Sequence, residues 1–390
     1  MTELALAHAV EVDVRARRVL MIGGTARSLT NFRGPLLKRL SERGHHVVTA
    51  AQPDGASDTV SRELASLSIP FEPLTIGRGG LNPLEDWKTA RSIRALIERH
   101  EPEVLIAYTA KPVIYSGLAL RNISGVRFHP MITGLGYAFS EGGGIKRTAL
   151  HALLCQLYRR SLGQAHTTIF QNPDDEKLFR EQKLLSQEGQ STVVDGSGVD
   201  VDLFPPRPLA SAPVFLMLAR LMADKGVRVY VEAARRVRQR YPQARFQLAG
   251  ALDPNPSSIR PEELEAWQKA ADIEYLGKLD GVQQALADCR YYVLPSWYRE
   301  GIPRSVLEAM ATGRPIITTD SPGCRETVEA GINGLLVEPR NPGALADAML
   351  AMLDAEPGVV EAMAQASLAK VARQYDVRRV NQRLLEITDL

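Results

Sequence analysis

Short, almost wholly apolar runs recur along this chain, most of them followed by a helical pattern. Arg18–Ile22 (RVLMI) is the first, with Gly23-Gly24 directly after it. A run that is apolar on both faces needs cover on both faces, which a parallel sheet wrapped by helices supplies. Further strands are predicted at 46–51, 104–108, 126–132 and 166–170, with helices near 36–43, 84–100, 111–121 and 144–162. Asn172-Pro173 marks another helix start, an Asn cap with Pro at the first helical position and acids behind it. The same grammar then repeats. Strands are predicted at 214–218, 245–249, 273–276, 291–294 and 315–319, and helices at 226–241, 281–288, 304–312, 324–330, 342–354 and 359–373. Between the two halves, Phe204–Pro213 (FPPRPLASAP) holds four prolines in ten positions and reads as a linker. The expected fold class is α/β, with two doubly wound, Rossmann-like parallel-sheet domains. They are placed at 18–204 and 213–374, after an N-terminal extension at 1–17. Ligands of such sheets sit beyond the carboxyl ends of the strands, and two such domains are expected to face a cleft.

Composition excludes several other roles. The 47 basic and 45 acidic side chains give +2, too even for a dedicated nucleic-acid binder. Cys155, Cys289 and Cys324 are too scattered for a disulfide framework or a zinc site and read as reduced thiols. No stretch supplies 18 uninterrupted apolar residues. Glu3, Glu11 and Asp13 occupy the N-terminus without a basic n-region, so a secretory signal is not expected there.

Three features of the second half converge on one kind of ligand. Arg220 and Lys225 follow the strand at 214–218 and precede a helix, a location that suits a diphosphate. In Pro295–Gly313 (PSWYREGIPRSVLEAMATG) a strand ends, a loop carries Glu300-Gly301, and a helix begins near Pro303. The amides around Gly301 and that helix start form a potential anion site. Glu300 at the loop mouth and Glu308 one turn into the helix can contact two parts of one elongated ligand, and carboxylates suit vicinal hydroxyls. Gly277-Lys278-Leu279, after the strand at 273–276, can flank a planar base. Loop charges and exposed helix glutamates are the plainer reading of each feature alone. Together they describe a pocket for a nucleotide carrying a diphosphate and a sugar.

The stretches LARLMADKG, AGALDP, YLGKLD, LPSWYREGIPRSVLEAMATGRPII and GCRETVEAGINGLLVEP resemble family 4 of the retaining glycosyltransferases, with the GT-B fold. In the first half, TNFRGPLLKRL, YTAKPVIYSGLA, ITGLGYAFSEGG, FQNPDDEKLF and GSGVDVDLF resemble the bacterial enzymes that extend sugars on undecaprenyl diphosphate. Among these are the N-acetylgalactosamine transferases acting on a diacetylbacillosamine lipid. The resemblance implies a UDP-sugar donor, a lipid-linked saccharide acceptor and transfer with retention, with no cofactor and no divalent metal. It implies that Arg220 and Lys225 hold the diphosphate, Glu308 the ribose, and Glu300 the donor sugar. Gly301 and Ile302 would meet the distal phosphate or sugar, and Lys278 and Leu279 the uracil. Gly23 and Gly24 would let the backbone approach diphosphate and acceptor. The last helix, 375–390, would pack back on the first domain. Many members carry a histidine after the strand that here is 126–132; this chain has Thr133-Gly134. Thr109, Lys111, Thr133 and Tyr137 are the substitutes available, while His129 within the strand reads as structural.

A lipid acceptor implies a peripheral protein on the cytoplasmic face of the inner membrane, against anionic lipid. In Ile145–Leu162, Leu150, Leu153, Leu154 and Leu157 share one helical face between the basic pairs Lys146-Arg147 and Arg159-Arg160. That pattern suits an interfacial helix and equally a core helix. Arg33, with Lys38, Arg39 and Arg43, offers a basic face toward a lipid diphosphate, or a solvated helix face. A transferase with a soluble acceptor and a nucleotide-sugar epimerase of the same fold are the alternatives.

Overall fold

The computed structural model describes residues 15–77, 82–136, 139, 145–186, 189–252 and 257–390, without the side chains of 145–147. Tyr137, one of the candidate acceptor residues, lies outside the described residues.

The first sheet contains β1 (Arg18–Thr25), β2 (His46–Gln52), β3 (Phe71–Pro73), β4 (Val104–Tyr108), β5 (Arg127–Ile132), β6 (Thr167–Phe170) and β7 (Gln190–Val193), in the order β3-β2-β1-β4-β5-β6-β7. The second contains β8 (Val214–Leu218), β9 (Arg245–Ala249), β10 (Glu274–Tyr275), β11 (Tyr291–Leu294), β12 (Ile316–Thr319) and β13 (Gly334–Val337), in the order β10-β9-β8-β11-β12-β13. Both sheets are parallel, as their continuous apolar strands require. Leu20, Met21 and Ile22 of β1 are fully buried, and so are Phe215, Leu216 and Met217 of β8. The helix Val227–Arg240 buries Val227, Tyr230, Val231, Ala234 and Val237 on one face, the three-and-four spacing of an amphipathic helix on a sheet. Its Tyr230 hydroxyl donates to the Phe215 carbonyl at 2.9 Å. By internal contacts the chain groups into Met1–Pro130 with Gln164–His166 and Leu385–Leu390, and Met131–Gly163 with Thr167–Leu384.

In both sheets the order reverses once, between β1 and β4 in the first and between β8 and β11 in the second. At such a reversal the connections leave in opposite directions and open a crevice beyond the strand ends.

Several elements differ from expectation for identifiable reasons. The helix expected at 36–43 begins at Ala26 and runs through Pro35, because Ala26, Leu29, Leu36, Leu37 and Leu40 form one buried stripe on both sides of it. The helix expected at 324–330 is only the 3₁₀ turn Arg325–Thr327. The short strands β3 and β7 lie at the edges of the first sheet, where half-exposed residues leave no continuous apolar run, and the four-residue apolar strand β13 adds an edge to the second. The helices Ser57–Ala65 and Pro261–Lys269 were not anticipated either. Phe204–Pro213 forms no regular element. The Asp-x-Asp stretch Asp200-Val201-Asp202 is a turn, in which Asp200 Oδ1 accepts from the Asp202 amide at 3.0 Å. All three cysteines are free and buried. Among the described residues no helix is long and apolar enough to cross a membrane.

Candidate active site

At the second reversal, the chain leaves β8 through Ala219-Arg220, makes the 3₁₀ turn Ala223–Lys225, and enters the helix Val227–Arg240. It leaves β11 through Pro295–Pro303 and enters the helix Arg304–Ala311. These two exits are stitched together. The Asp224 carbonyl accepts from the amides of Trp297 at 3.0 Å and Tyr298 at 3.1 Å. Gly226 has φ +84°, and a Cβ there would overlap the Pro295 carbonyl, so only glycine fits.

That stitching brings Lys225 onto Glu300. Lys225 Nζ lies 2.7 Å from Glu300 Oε2, and both side chains are only 12% exposed. Ser296 Oγ donates to Glu300 Oε1 at 2.7 Å, so both carboxylate oxygens are held. Lys225 Nζ also lies 5.2 Å from the Tyr298 ring centroid, a cation–π approach. An ammonium carries three N–H donors, so one contact to Glu300 fixes the head and leaves donors for an anion. Arg220, exposed, hydrogen bonds the Tyr298 side chain that Lys225 also approaches. Burial pushes the Tyr298 phenol up, and Arg220 draws it partly back.

The backbone of 299–301 is clamped as well. Gly134 bridges Glu300, and the Arg299 carbonyl accepts from Leu135 at 3.0 Å. Asn172 caps the helix Pro173–Glu181 through Asp175 and donates to the Glu300 carbonyl at 3.0 Å. Asp175, fully buried, receives Arg299 Nη2 at 3.0 Å. Burial raises the Asp175 carboxyl; Arg299 and Asn172 oppose the rise. Gly323, at φ +85°, underlies the loop, where a Cβ would strike the Gly301 carbonyl. A Cβ on Gly301 would in turn strike Gln171 and approach Thr133.

Glu308 faces Arg304 Nε at 2.9 Å, one helical turn earlier, with 14% of its side chain exposed. Burial raises its carboxyl above the usual range and Arg304 opposes. Buried Tyr292 of β11 is raised first by burial and also by both Glu308 and Glu300, which places it near both carboxylates. Gly301 is buried and Ile302 is 8% exposed. Lys278 is exposed and Leu279 half-buried on the loop after β10. That loop is tied to the crevice through Gly250, whose amide donates to the Gly277 carbonyl at 2.9 Å and whose missing Cβ makes room for the Ala219 carbonyl.

The first reversal differs in kind. A Cβ on Gly23 would strike the Tyr108 ring, and one on Gly24 would sit 2.8 Å from Thr109 Oγ1. Thr109 itself holds φ +69°, a strained value for a β-branched residue. Lys111 Nζ pairs with Asp86 at 3.1 Å, and Asp86 also accepts from the Tyr115 hydroxyl. Arg33 is not on an exposed basic face: it is 2% exposed, with its guanidinium 5.2 Å from the Tyr108 ring centroid. Lys38 and Arg39 are exposed beside Glu42, and Arg43 donates to the Leu390 carbonyl at 2.6 Å. His129 is fully buried, edge-on to His166 at 5.4 Å, and driven down to about 3 by burial, His166 and Arg127. It is a neutral core residue, as its place within a strand suggested. On Ile145–Leu162, Leu153 is exposed while Leu150, Leu154 and Leu157 are half-buried over buried Cys155 and Tyr158.

Of the residues the sequence singled out, Lys225 and Glu300 come together, Glu308 pairs with Arg304, and Arg220 meets Tyr298. Sequence reasoning passed over Ser296, Tyr298 and Arg304, which the same motif contains. It read Asn172 only as a cap and missed Asp175 and Arg299, because no local pattern shows that a capped helix start will hold a loop 124 residues away.

Two doubly wound parallel sheets, each with one reversal of strand order, make up the GT-B architecture. Residues 18–172 match the family described as Glycosyl transferase 4-like, and residues 212–355 match Glycosyl transferases group 1. The chain belongs to these glycosyltransferases. It is 27% identical, over 95% of its length and 98% of the other protein, to the N,N'-diacetylbacillosaminyl-diphospho-undecaprenol alpha-1,3-N-acetylgalactosaminyltransferase of Campylobacter jejuni. Among solved structures it resembles sucrose-phosphate synthase of Thermosynechococcus elongatus (TM-score 0.76, 18% identity, 95% of this chain and 98% of that one). It also resembles HepE of Anabaena in complex with UDP (TM-score 0.75, 19% identity, 96% of this chain and 100% of that one).

Proposed function

We propose that this glycosyltransferase moves an N-acetylhexosamine, GalNAc or GlcNAc, from a UDP-sugar to an undecaprenyl-diphosphate-linked saccharide. In this reading it retains the anomeric configuration, uses no divalent metal, and works peripherally on the cytoplasmic face of the inner membrane. The donor region is 213–374; the acceptor region is 18–204, completed by the last helix. The observation that carries the reading is the Lys225–Glu300 pair at the β8/β11 reversal, with Arg220 joined to it through Tyr298. The Campylobacter relative, similar along nearly its whole length, supports the lipid-linked acceptor, and the HepE complex supports UDP.

As the bond from the sugar C1 to the diphosphate oxygen breaks, the electron pair leaves with UDP. Charge then grows on oxygens that Lys225 and Arg220 address, so their help is greatest in the transition state. The acceptor hydroxyl bonds C1 on the same face and passes its proton to the departing phosphate oxygen. Glu300 holds Lys225 and accepts from donor-sugar hydroxyls; the amides of Gly301 and Ile302 meet the distal phosphate. Glu308, steadied by Arg304, accepts from the ribose hydroxyls. Lys278 and Leu279 flank the uracil. Gly23 and Gly24 let the backbone approach the diphosphate and the acceptor, and Lys111, Thr133 and Tyr137 serve the acceptor side.

The test is product formation from a panel of radiolabelled UDP-sugars, with undecaprenyl-diphosphate-linked acetamido sugars in detergent. Transfer from UDP-GalNAc or UDP-GlcNAc is expected. UDP release without lipid product would move the acceptor to a soluble sugar, and no turnover of any UDP-sugar would overturn the donor assignment.

A further inference from the structure

The helix Pro83–His100 turns an unusual face to solvent. Leu84, Trp87, Lys88 and Arg91 recur at i, i+3, i+4 and i+7 and are all exposed, while Asp86, Thr89, Ile93, Leu96 and Ile97 are buried on the other side. Leu84 at 73% and Trp87 at 58% are the two most exposed large apolar side chains among the described residues. The Arg91 guanidinium lies 5.4 Å from the Trp87 ring centroid. Asn82 and Pro83 cap and pre-form the first turn, so the patch is presented on a defined helix end.

Charge is sorted across this helix start. Acids normally gather in a first turn, and Glu85 and Asp86 do. Asp86 is drawn inward to Lys111, and the Glu85 carboxylate and Lys111 Nζ both border Gly77. Among the described residues, Lys88 and Arg91 have no acidic partner. The outward face therefore combines an aliphatic tip, an indole and two unneutralised cations.

From this juxtaposition we propose that the N-terminal turns of the helix Pro83–His100 dock on an anionic phospholipid surface, with Leu84 and Trp87 at the headgroup–acyl boundary and Lys88 and Arg91 on lipid phosphates. Indoles favour that boundary, and long basic side chains reach from it to anionic headgroups. A protein partner covering an apolar face of this kind would be expected to answer the cations with carboxylates; a bilayer answers them with phosphates. The proposal rests on the lipid-linked acceptor reading. It sharpens that reading, because Lys111, assigned to the acceptor side, pairs with the buried Asp86 of the same helix turn. Docking would hold a lipid diphosphate at the level of Lys111.

The experiment uses the full chain with vesicles of phosphatidylglycerol and phosphatidylethanolamine, and with neutral phosphatidylcholine vesicles. Trp87 is the exposed one of three tryptophans, Trp267 being buried and Trp297 half-buried. Anionic vesicles should shift the wild-type emission to the blue, and Trp87→Phe should lose the shift. Leu84→Ser with Trp87→Ser should weaken flotation with anionic vesicles at least tenfold. Lys88→Glu with Arg91→Glu should remove the preference for anionic over neutral vesicles. UDP binding by calorimetry and transfer to a detergent-solubilised acceptor should stay unchanged in all of these variants. Their loss in the wild type would instead break the functional reading and leave the docking question to the vesicles. Undiminished flotation of the Leu84/Trp87 variant, or no wild-type flotation, would overturn the proposal. So would a wild-type dimer in sedimentation velocity that the same variant dissolves, since a second copy would then cover the face.

Discussion

The two sheet reversals share a topology and differ in chemistry. The β8/β11 crevice gathers basic and acidic side chains in pairs: Lys225 with Glu300, and Arg304 with Glu308. The β1/β4 reversal is built from Gly23 and Gly24 against Tyr108 and Thr109, with Lys111–Asp86 set to one side. Beyond it, in β5, the same sheet keeps His129 neutral. One architecture thus supplies a region that holds charged side chains in fixed pairs and a region where missing side chains let the backbone pack against Tyr108 and Thr109. The strand order decides where a ligand can sit, and the side chains at that place decide which ligand.

The largest test of this contrast is acid. With its folded value near 3, His129 is protonated less readily in the fold than in the unfolded chain, whose value is near 6.5. Its contribution is therefore fully present above pH 6.5 and is lost as pH falls from there toward 3. That window should cost up to about 4–5 kcal/mol in denaturant unfolding, and His129→Leu should flatten the slope. An unchanged slope would mean that the first sheet tolerates a buried charge after all.

Next, Lys225→Ala should lower kcat/KM for the UDP-sugar ~100- to 1,000-fold, because the anion site loses its fixed cation and Glu300 is left without its counter-ion. Lys111→Ala should raise the acceptor KM roughly tenfold and leave the donor KM alone, a loss in the range of one charge-assisted hydrogen bond. Equal effects of both variants on donor kinetics would erase the distinction between the regions.

Backbone clearance comes third. Gly226→Ala should cost about 3 kcal/mol, combining a left-handed φ with overlap of the Pro295 carbonyl. Gly277→Ala has the same left-handed φ but open space, and should cost about 1 kcal/mol. Thermal unfolding of the two variants separates steric overlap from backbone preference.

The smallest effect concerns Glu308. Its carboxyl titrates above the ordinary value of 4.5. As pH falls through that raised value the group protonates, ceases to accept from hydroxyls in the same way, and the donor KM should rise several-fold. In stability the sign reverses: the fold favours the protonated form, so raising pH from 4.5 through the raised value costs stability. Glu308→Gln should remove both dependences, read by KM and by unfolding at each pH.

Much of this was legible in residues that sit close together in the chain. Apolar runs such as RVLMI and VFLML located the central strands, because a strand buried on both faces must be apolar at every position. The stretch 295–313 located Glu300, Glu308 and the helix between strand and site. The helix across Pro35 was not legible, since burial of Leu29 through Leu40 outweighs the hydrogen bond that the proline forgoes. Nor was Arg33, whose sequence neighbours suggest a basic surface while tertiary packing lays it under Tyr108.

By itself, then, the sequence determined the α/β class, the strand-by-strand grammar, and the residue types available for a nucleotide sugar, because these follow from local periodicity and from motifs within a single loop. Only the tertiary structure decided which cations meet which carboxylates. Lys225 reaches Glu300 because β8 and β11 are neighbours in the sheet although their carboxyl ends, Leu218 and Leu294, are far apart in the chain. Arg299 pairs with a buried Asp175 that a capped helix places 124 residues earlier in the chain. Such pairings depend on low-dielectric packing between distant segments, and no window of sequence carries that information.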